Sequence, residues 1–258
     1  PLLAKYYKRN EPFLRGREKG RFNNDNEWFL FSRNQGMNAV EQPKIMTQEI
    51  SLGCNMTYDT NGVFYHPTTI YSFVKNSNFE VDEKYYLGIM NSKIMWFFLK
   101  NTGTELAGGY FRFKTNYLKP FPLPAITTKA DKMIEMVDFQ LKDNKALQVL
   151  SGHFTTYLQS QFVLGSLSKK LQNWYELDFG DFINELNKAI KKAGTSTGSV
   201  SKLSKLQEMD WMEVFETKKA EAQTLKTQID KTDQEIDQMV YELYGLTEEE
   251  IKIVEGSV

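Results

Sequence analysis

The fold of this chain is decided by the stretch GTELAGGYFRFKTNYLKPFPLP, residues 103–124. Aromatic and charged side chains alternate over residues 110–114, and this period of two predicts a β-strand after a Gly-containing loop. Three prolines within the last five residues of the stretch exclude both a helix interior and a central strand. We therefore predict that a region of mixed strands and helices ends here.

Upstream of this stretch the sequence predicts short elements. Residues 82–100 have apolar side chains at three- and four-residue spacings, which predicts a helix. Residues 44–50 alternate apolar and polar side chains, as in a half-buried strand. Loops and short strands are predicted for the rest of residues 1–80, including a hairpin turn at Asn61-Gly62 and a strand over residues 63–66.

Downstream, from about residue 130, the pattern changes to helices. The last long helix is predicted over residues 206–244, where Gly245 gives a natural stop. Its apolar positions recur every seven residues, at Phe215, Ala222, Ile229, Ile236 and Leu243. Lys218 and Thr232 break the companion series of Trp211, Leu225 and Met239. Such a helix packs on another helix, and the sequence leaves open whether that partner belongs to the same domain or to another subunit.

Together these patterns predict an α+β protein. A mixed α/β domain is expected over residues 1–125, and a helical spacer or docking region with a long amphipathic C-terminal helix over residues 126–258. A hydrophobic content of 41% excludes a disordered chain. No apolar run approaches the ~18–20 residues of a membrane span. The chain opens with Pro1 rather than Met, so we expect a fragment of a longer protein or a processed chain.

The sequence contains none of the common motifs of catalytic sites. The sequence has no glycine-rich nucleotide loop, no HExxH and no GxSxG. The two histidines, His66 and His153, have no acid–base pattern around them. The single cysteine, Cys54, excludes a disulfide framework and favours a reducing, cytoplasmic setting. We predict no catalytic residue, no metal site and no cofactor within these 258 residues.

The formal net charge of −1 hides an asymmetry. Residues 1–120 contain 16 Lys and Arg against 11 Asp and Glu, a net of +5. Residues 121–258 contain 16 against 22, a net of −6. Such an asymmetry indicates an anionic partner for the basic half, with ordinary fluctuation of composition as the alternative.

The basic half offers the side chains that DNA recognition uses. Arg and Lys neutralise phosphates and pair with guanine, and Asn or Gln pairs with adenine. Glycines between the first arginines allow a close backbone approach, although a solvated loop is the alternative. The candidate DNA contacts are Arg15, Arg17, Arg21, Asn23, Arg33, Asn34, Gln35, Arg112 and Lys114.

Two motifs in this order resemble a known family. YLGIMNSK at residues 86–93 and GGYFRFK at residues 108–114, the latter leading into YLKPFPLP, resemble the TaqI-like C-terminal specificity domain. This domain is the target-recognition region of type IIG restriction–modification enzymes, which join it to an endonuclease and an adenine-N6 methyltransferase. IDQMVYELYGLT at residues 236–247 is similar to the ending of these proteins and of type I specificity subunits.

The resemblance implies a DNA-reading module without its catalytic partners. The family's methyltransferase signature Asn-Pro-Pro-Tyr is missing, since the chain contains no Asn-Pro, and no PD-(D/E)xK nuclease motif is found. S-adenosylmethionine and Mg²⁺ are expected to serve the full-length enzyme and not this chain. The implied partners are duplex DNA and the N-terminal methyltransferase and nuclease domains. A protein-interaction module, such as a fragment of a type I specificity subunit, is the alternative.

Overall fold

The computed structural model describes residues 2–32, 36–37, 39–76, 80–197 and 202–257. The chain divides into two compact units. The N-terminal unit comprises Pro1–Gln42 and Asn61–Tyr65, and the main unit comprises Pro43–Thr60 and His66–Val258. The boundary predicted after residue 125 stays a prediction.

The N-terminal unit begins with two helices, α1 (Leu2–Arg15) and the short α2 (Arg17–Gly20). The prediction of loops and strands was therefore wrong for residues 2–15, whereas α2 is a kinked turn in which Glu18 and Lys19 have left-handed φ values. Leu, Ala, Lys and Arg favour helix, and the loss of one backbone hydrogen bond at Pro12 does not stop α1. The Gly16 N–H closes the last turn by donating to the Pro12 carbonyl at 3.2 Å. Helix α1 buries none of its residues.

The predicted turn at Asn61-Gly62 is present, since Gly62 has a φ of 64°. The strand predicted after it was wrong, because residues 63–66 join no sheet. Val63, Phe64 and Tyr65 are instead exposed, and the Tyr65 hydroxyl donates to the Glu41 carboxylate at 2.5 Å.

The main unit contains two antiparallel three-stranded sheets, in the orders β3-β1-β4 and β2-β6-β5. The strands are β1 (Lys44–Gln48), β2 (Ile50–Ser51), β3 (Thr57–Asp59), β4 (Ile70–Phe73), β5 (Glu105–Leu106) and β6 (Tyr110–Arg112). Glu49 lies where the chain passes from one sheet to the other. Its N–H donates to the Thr69 carbonyl and its carbonyl accepts from the Phe113 N–H, both at 2.8 Å. The strands predicted over residues 44–50 and 110–114 are thus confirmed in large part.

The hairpin between β5 and β6 explains the Gly108-Gly109 pair. Both glycines have a positive φ, 83° and 78°, and the Gly109 N–H donates to the Leu106 carbonyl at 3.2 Å. A Cβ atom on Gly108 would meet only the Tyr110 ring, at 3.5 Å. The glycines are therefore required by the turn conformation and not by a crowded contact.

The helix predicted over residues 82–100 is present as two helices, α3 (Glu83–Asn91) and α4 (Lys93–Thr102). Ser92 separates them and caps α4, because its hydroxyl oxygen accepts from the Met95 N–H at 3.4 Å. The short helix α5 (Thr115–Leu118) then leads into the proline-containing segment.

The remaining helices are α6 (Ala130–Phe162), α7 (Lys169–Gln172), α8 (Phe179–Thr197), α9 (Lys205–Tyr244) and α10 (Glu248–Gly256), with a 3₁₀ turn at Trp174–Glu176. Helices α6 and α9 are antiparallel, because the start of α6 and the end of α9 share one hydrophobic core. That first core also includes α3, α4, β6 and α10. A second core unites the other halves of α6 and α9 with α7 and α8.

The seven-residue repeat of α9 faces these two cores. Phe215, Ala222 and Ile229 are buried in the second core, Ile236 is buried in the first, and Leu243 packs against the first. The open question about the partner helix is thereby answered, since α9 packs within its own chain and its repeat forms no exposed stripe. No helix in the described ranges is long and apolar enough to cross a membrane.

Candidate nucleic-acid interface

Arg15 ends α1, and its guanidinium is already engaged by carboxylates. Its Nη2 lies 2.7 Å from Oε1 of Glu11, one helical turn earlier, and 2.6 Å from Oδ1 of Asp25. The hydrogen bond from Arg15 lowers the pKa of Glu11, and the reciprocal bond raises the pKa of Arg15. The guanidinium also lies 5.6 Å from the Trp28 ring centroid. A phosphate would therefore compete with two carboxylates for Arg15.

Arg17 is engaged by backbone carbonyls. Its Nε donates to Leu14 at 3.0 Å, and its Nη2 donates to Trp28 at 3.0 Å and to Leu30 at 2.9 Å. The guanidinium lies 4.6 Å from the Phe22 ring centroid, a cation–π distance. One side chain thus joins the end of α1 to the segment that follows α2.

Arg21 and Asn23 are the more accessible candidates in this unit. Arg21 is exposed, and its ion pair with Glu18 is long, at 3.4 Å. Asn23 is exposed, and its backbone N–H, not its side chain, donates to the Gly20 carbonyl at 2.9 Å. Glu18 and Lys19 have left-handed φ values of 49° and 60°, which turns the chain sharply before Arg21.

Sequence reasoning missed three further cations, Lys5, Lys8 and Arg9, on α1. Their spacing of three and four residues places them on one side of the helix, and all three are exposed. Lys8 pairs with Glu11 at 3.0 Å, whereas Lys5 and Arg9 form no ion pair with any residue in the described ranges. A helical interpretation of residues 2–15 would have identified this basic face.

The main unit provides Arg112 and Lys114 from one face of the β6 segment. Phe111 and Phe113, on the other face, are buried in the first core, as the alternation predicted. Arg112 pairs across the sheet with the Glu49 carboxylate at 2.8 Å and keeps 34% of its side chain exposed. Lys114 is half-buried just before α5 and forms no ion pair in the described part of the chain.

The nine residues predicted to contact DNA are therefore divided between the two units, and three of them are not described by the structure. Arg15, Arg17, Arg21 and Asn23 lie together in the N-terminal unit, and Arg112 and Lys114 lie together in the main unit. The remaining three, Arg33, Asn34 and Gln35, lie outside the described residues. Within the described ranges, no group of three or more His, Cys, Asp or Glu side chains could hold a metal ion. DNA contact by each of the nine residues stays a prediction.

The contacts of Arg17 predict that it holds the end of α1 and the segment after α2 in place. Mutation can separate this role from phosphate binding. We expect Arg17→Ala to destabilise the N-terminal unit by about 1–3 kcal/mol, because three backbone carbonyls, two of them in part-buried hydrogen bonds, lose a charged donor. Hydrogen exchange over residues 21–32 would measure this loss. Arg21→Ala is the control, since its guanidinium holds no backbone segment. Equal exchange in the two variants would contradict the positioning role.

Comparison with known proteins confirms the resemblance. Residues 5–123, just under half of the chain, match the model of the TaqI-like C-terminal specificity domain. Residues 127–240 match a domain of unknown function, DUF8810. A Type II methyltransferase, M.BstVI of Geobacillus stearothermophilus, is 24% identical over 124 residues, which are 48% of this chain and 21% of the relative. The chain thus aligns with about a fifth of that relative's length.

Proposed function

We propose, on the premise that residues 5–123 match a TaqI-like specificity domain, that this chain recognises a duplex DNA sequence for a restriction–modification system. The match to that domain is the observation that supports the proposal most strongly. The exposed cations of the N-terminal unit and Lys114 of the main unit supply the charge that phosphate binding requires.

We further propose that the parent protein is a type IIG enzyme in the cytoplasm. In it, this chain would position a methyltransferase and a nuclease that lie outside these residues. S-adenosylmethionine and Mg²⁺ would serve those domains, and the chain would have no catalytic activity of its own. The methyltransferase relative supports this parent enzyme, because the aligned segment is about a fifth of its length.

Salt-dependent binding tests the proposal. We expect the 258-residue chain to bind random-sequence duplex DNA with an affinity that falls steeply with salt, by about one logarithmic unit of slope per phosphate neutralised. Lys114→Ala should lower that slope by about one, because a free ammonium is removed from the proposed surface. Fluorescence anisotropy between 50 and 200 mM salt (about the range over which such contacts weaken) gives the slope.

Lys142→Ala is the matched control for Lys114→Ala. Lys142 is an exposed lysine on α6, in the acidic helical region, and should leave the slope unchanged. An affinity that does not change with salt would contradict DNA recognition. Equal effects of the two lysine variants would contradict the placement of the surface at Lys114.

The second candidate function, an interaction module that pairs through the seven-residue repeat of α9, has less support. The residues of that repeat contact α6 and α8 of the same chain. We therefore propose that the helical region is a brace for the recognition domain.

A further inference from the structure

A groove in the main unit lies apart from the residues proposed to contact DNA. It has a volume of ≈ 520 Å³ and is formed by the segment after β2, the junction of α3 and α4, and the facing sides of α6 and α9. Leu87, Val137 and Ile236 give it an apolar floor, and all three are buried. Gln140 and Asp233 are among the polar residues of its rim.

The groove contains two carboxylates, and only that of Asp237 forms an ion pair with a cation of the described residues. Asp237 accepts the Lys93 N–H at 2.8 Å and lies 3.6 Å from the Lys93 ammonium. Asp233, one helical turn earlier, forms no ion pair with any Lys or Arg of the described residues. Although its side chain reaches the solvent, the protein around it, followed by the charges of Asp237 and Asp230, raises its pKa to about 6. Asp233 is therefore influenced by the charge of Lys226 but has no cation of the described residues at ion-pair distance.

The amide groups of the rim leave acceptors open. The Gln140 Nε2 donates to the Ile229 carbonyl at 3.1 Å and to Asp233 Oδ1. The Asn144 Nδ2 donates to the carbonyl oxygen and Oε1 of Gln140, at 2.9 and 3.2 Å. Both amides thus use their donors inside the rim, whereas Asp233 Oδ2 and Asn144 Oδ1 accept no hydrogen bond from the described part of the chain. A fitting ligand group is a cation with several N–H donors.

We propose that this groove binds the side chain of an arginine from a protein segment outside these 258 residues. The apolar floor suits the aliphatic stem of arginine, and the planar guanidinium offers five donors to the oxygens at the rim. A metal ion does not fit, because the described residues contain no group of three or more metal-binding side chains. The negative groove and the positive guanidinium are complementary in charge, and this complementarity identifies the occupant.

Titration of the full chain with N-acetyl-arginine amide tests the proposal. We expect saturable NMR shifts at the Asn144 side-chain amide and at the Gly88 N–H, which both line the groove. Asp233→Asn should weaken this binding at least about tenfold, because the charged acceptor is lost. Glu221→Gln is the matched control, since Glu221 is on the same helix but outside the groove, where it pairs with Lys218. The control should bind like the unchanged chain.

Two further ligands identify the source of the cation. N-acetyl-lysine amide should bind more weakly than the arginine compound, because a single ammonium cannot contact separate acceptors as a planar fork does. Tighter binding of spermidine would overturn the assignment in favour of a free polyamine. Absence of saturable shifts, or equal binding by the Asp233→Asn and Glu221→Gln variants, would also overturn it. DNA binding by Asp233→Asn is measured separately, so the two proposals fail independently.

Discussion

Lys44→Met is expected to destabilise the protein by about 3–5 kcal/mol. Lys44 and Asp59 lie opposite each other on β1 and β3, with Nζ 2.5 Å from Oδ2, and both side chains are buried. Removal of the ammonium takes away the opposite charge that offsets the desolvation of the Asp59 carboxylate, in a site from which water is excluded. Urea unfolding should show a lower midpoint with an unchanged slope.

The double variant Lys44→Met with Asp59→Leu separates the loss of the ion pair from the cost of burying the remaining carboxylate. It should recover most of the stability, because two apolar side chains replace both charges of the buried pair. Asp59→Leu alone should be about as damaging as Lys44→Met alone. If Lys44→Met cost less than about 1 kcal/mol, the carboxylate would have to find another partner or water, and the buried pair would not stabilise this sheet.

The long helices were predictable because their patterns are local. The heptad positions of α9 recur from Phe215 to Leu243, and Gly245 adopts the left-handed φ of 67° that ends the helix. The capping box at Ser204 and Gln207 adds a further start signal. Over such a length, single unfavourable residues such as Lys218 and Thr232 do not change the period. The sequence could therefore predict the helix, although not that its apolar side faces its own chain.

The pairing of charges was not predictable, because it depends on tertiary structure. Arg15, Arg17 and Arg112 were chosen as DNA contacts by residue type. In the fold, Arg15 binds two carboxylates and Arg17 donates to three backbone carbonyls. Arg112 pairs with the Glu49 carboxylate. Lys44 was part of a correctly predicted strand, but a charged residue is normally expected at the surface, so its burial was missed. Only the position of the other elements decides which cations remain accessible.

The other large effect is expected in the second core. Phe215→Ala should lower the free energy of unfolding by about 3–5 kcal/mol, because it removes a fully buried aromatic side chain. The Phe215 ring stacks on Phe182 with centroids 4.5 Å apart and contacts Trp174 edge-on at 6.0 Å. Thermal unfolding followed by tryptophan fluorescence reports on this core directly. The matched control is Met212→Ala on the same helix.

Met212 is an apolar residue of similar size that is 47% exposed, so its truncation should change the free energy of unfolding by no more than about 0.5 kcal/mol. A large difference between the two variants would mean that α9 is held by the core of its own chain, as the brace role requires. Equal and small effects would mean that the aromatic cluster contributes little to holding α9. The hypothesis that α9 packs against a separate subunit would then regain support. The burial of the α9 repeat within its own chain is the observation that argues against that hypothesis.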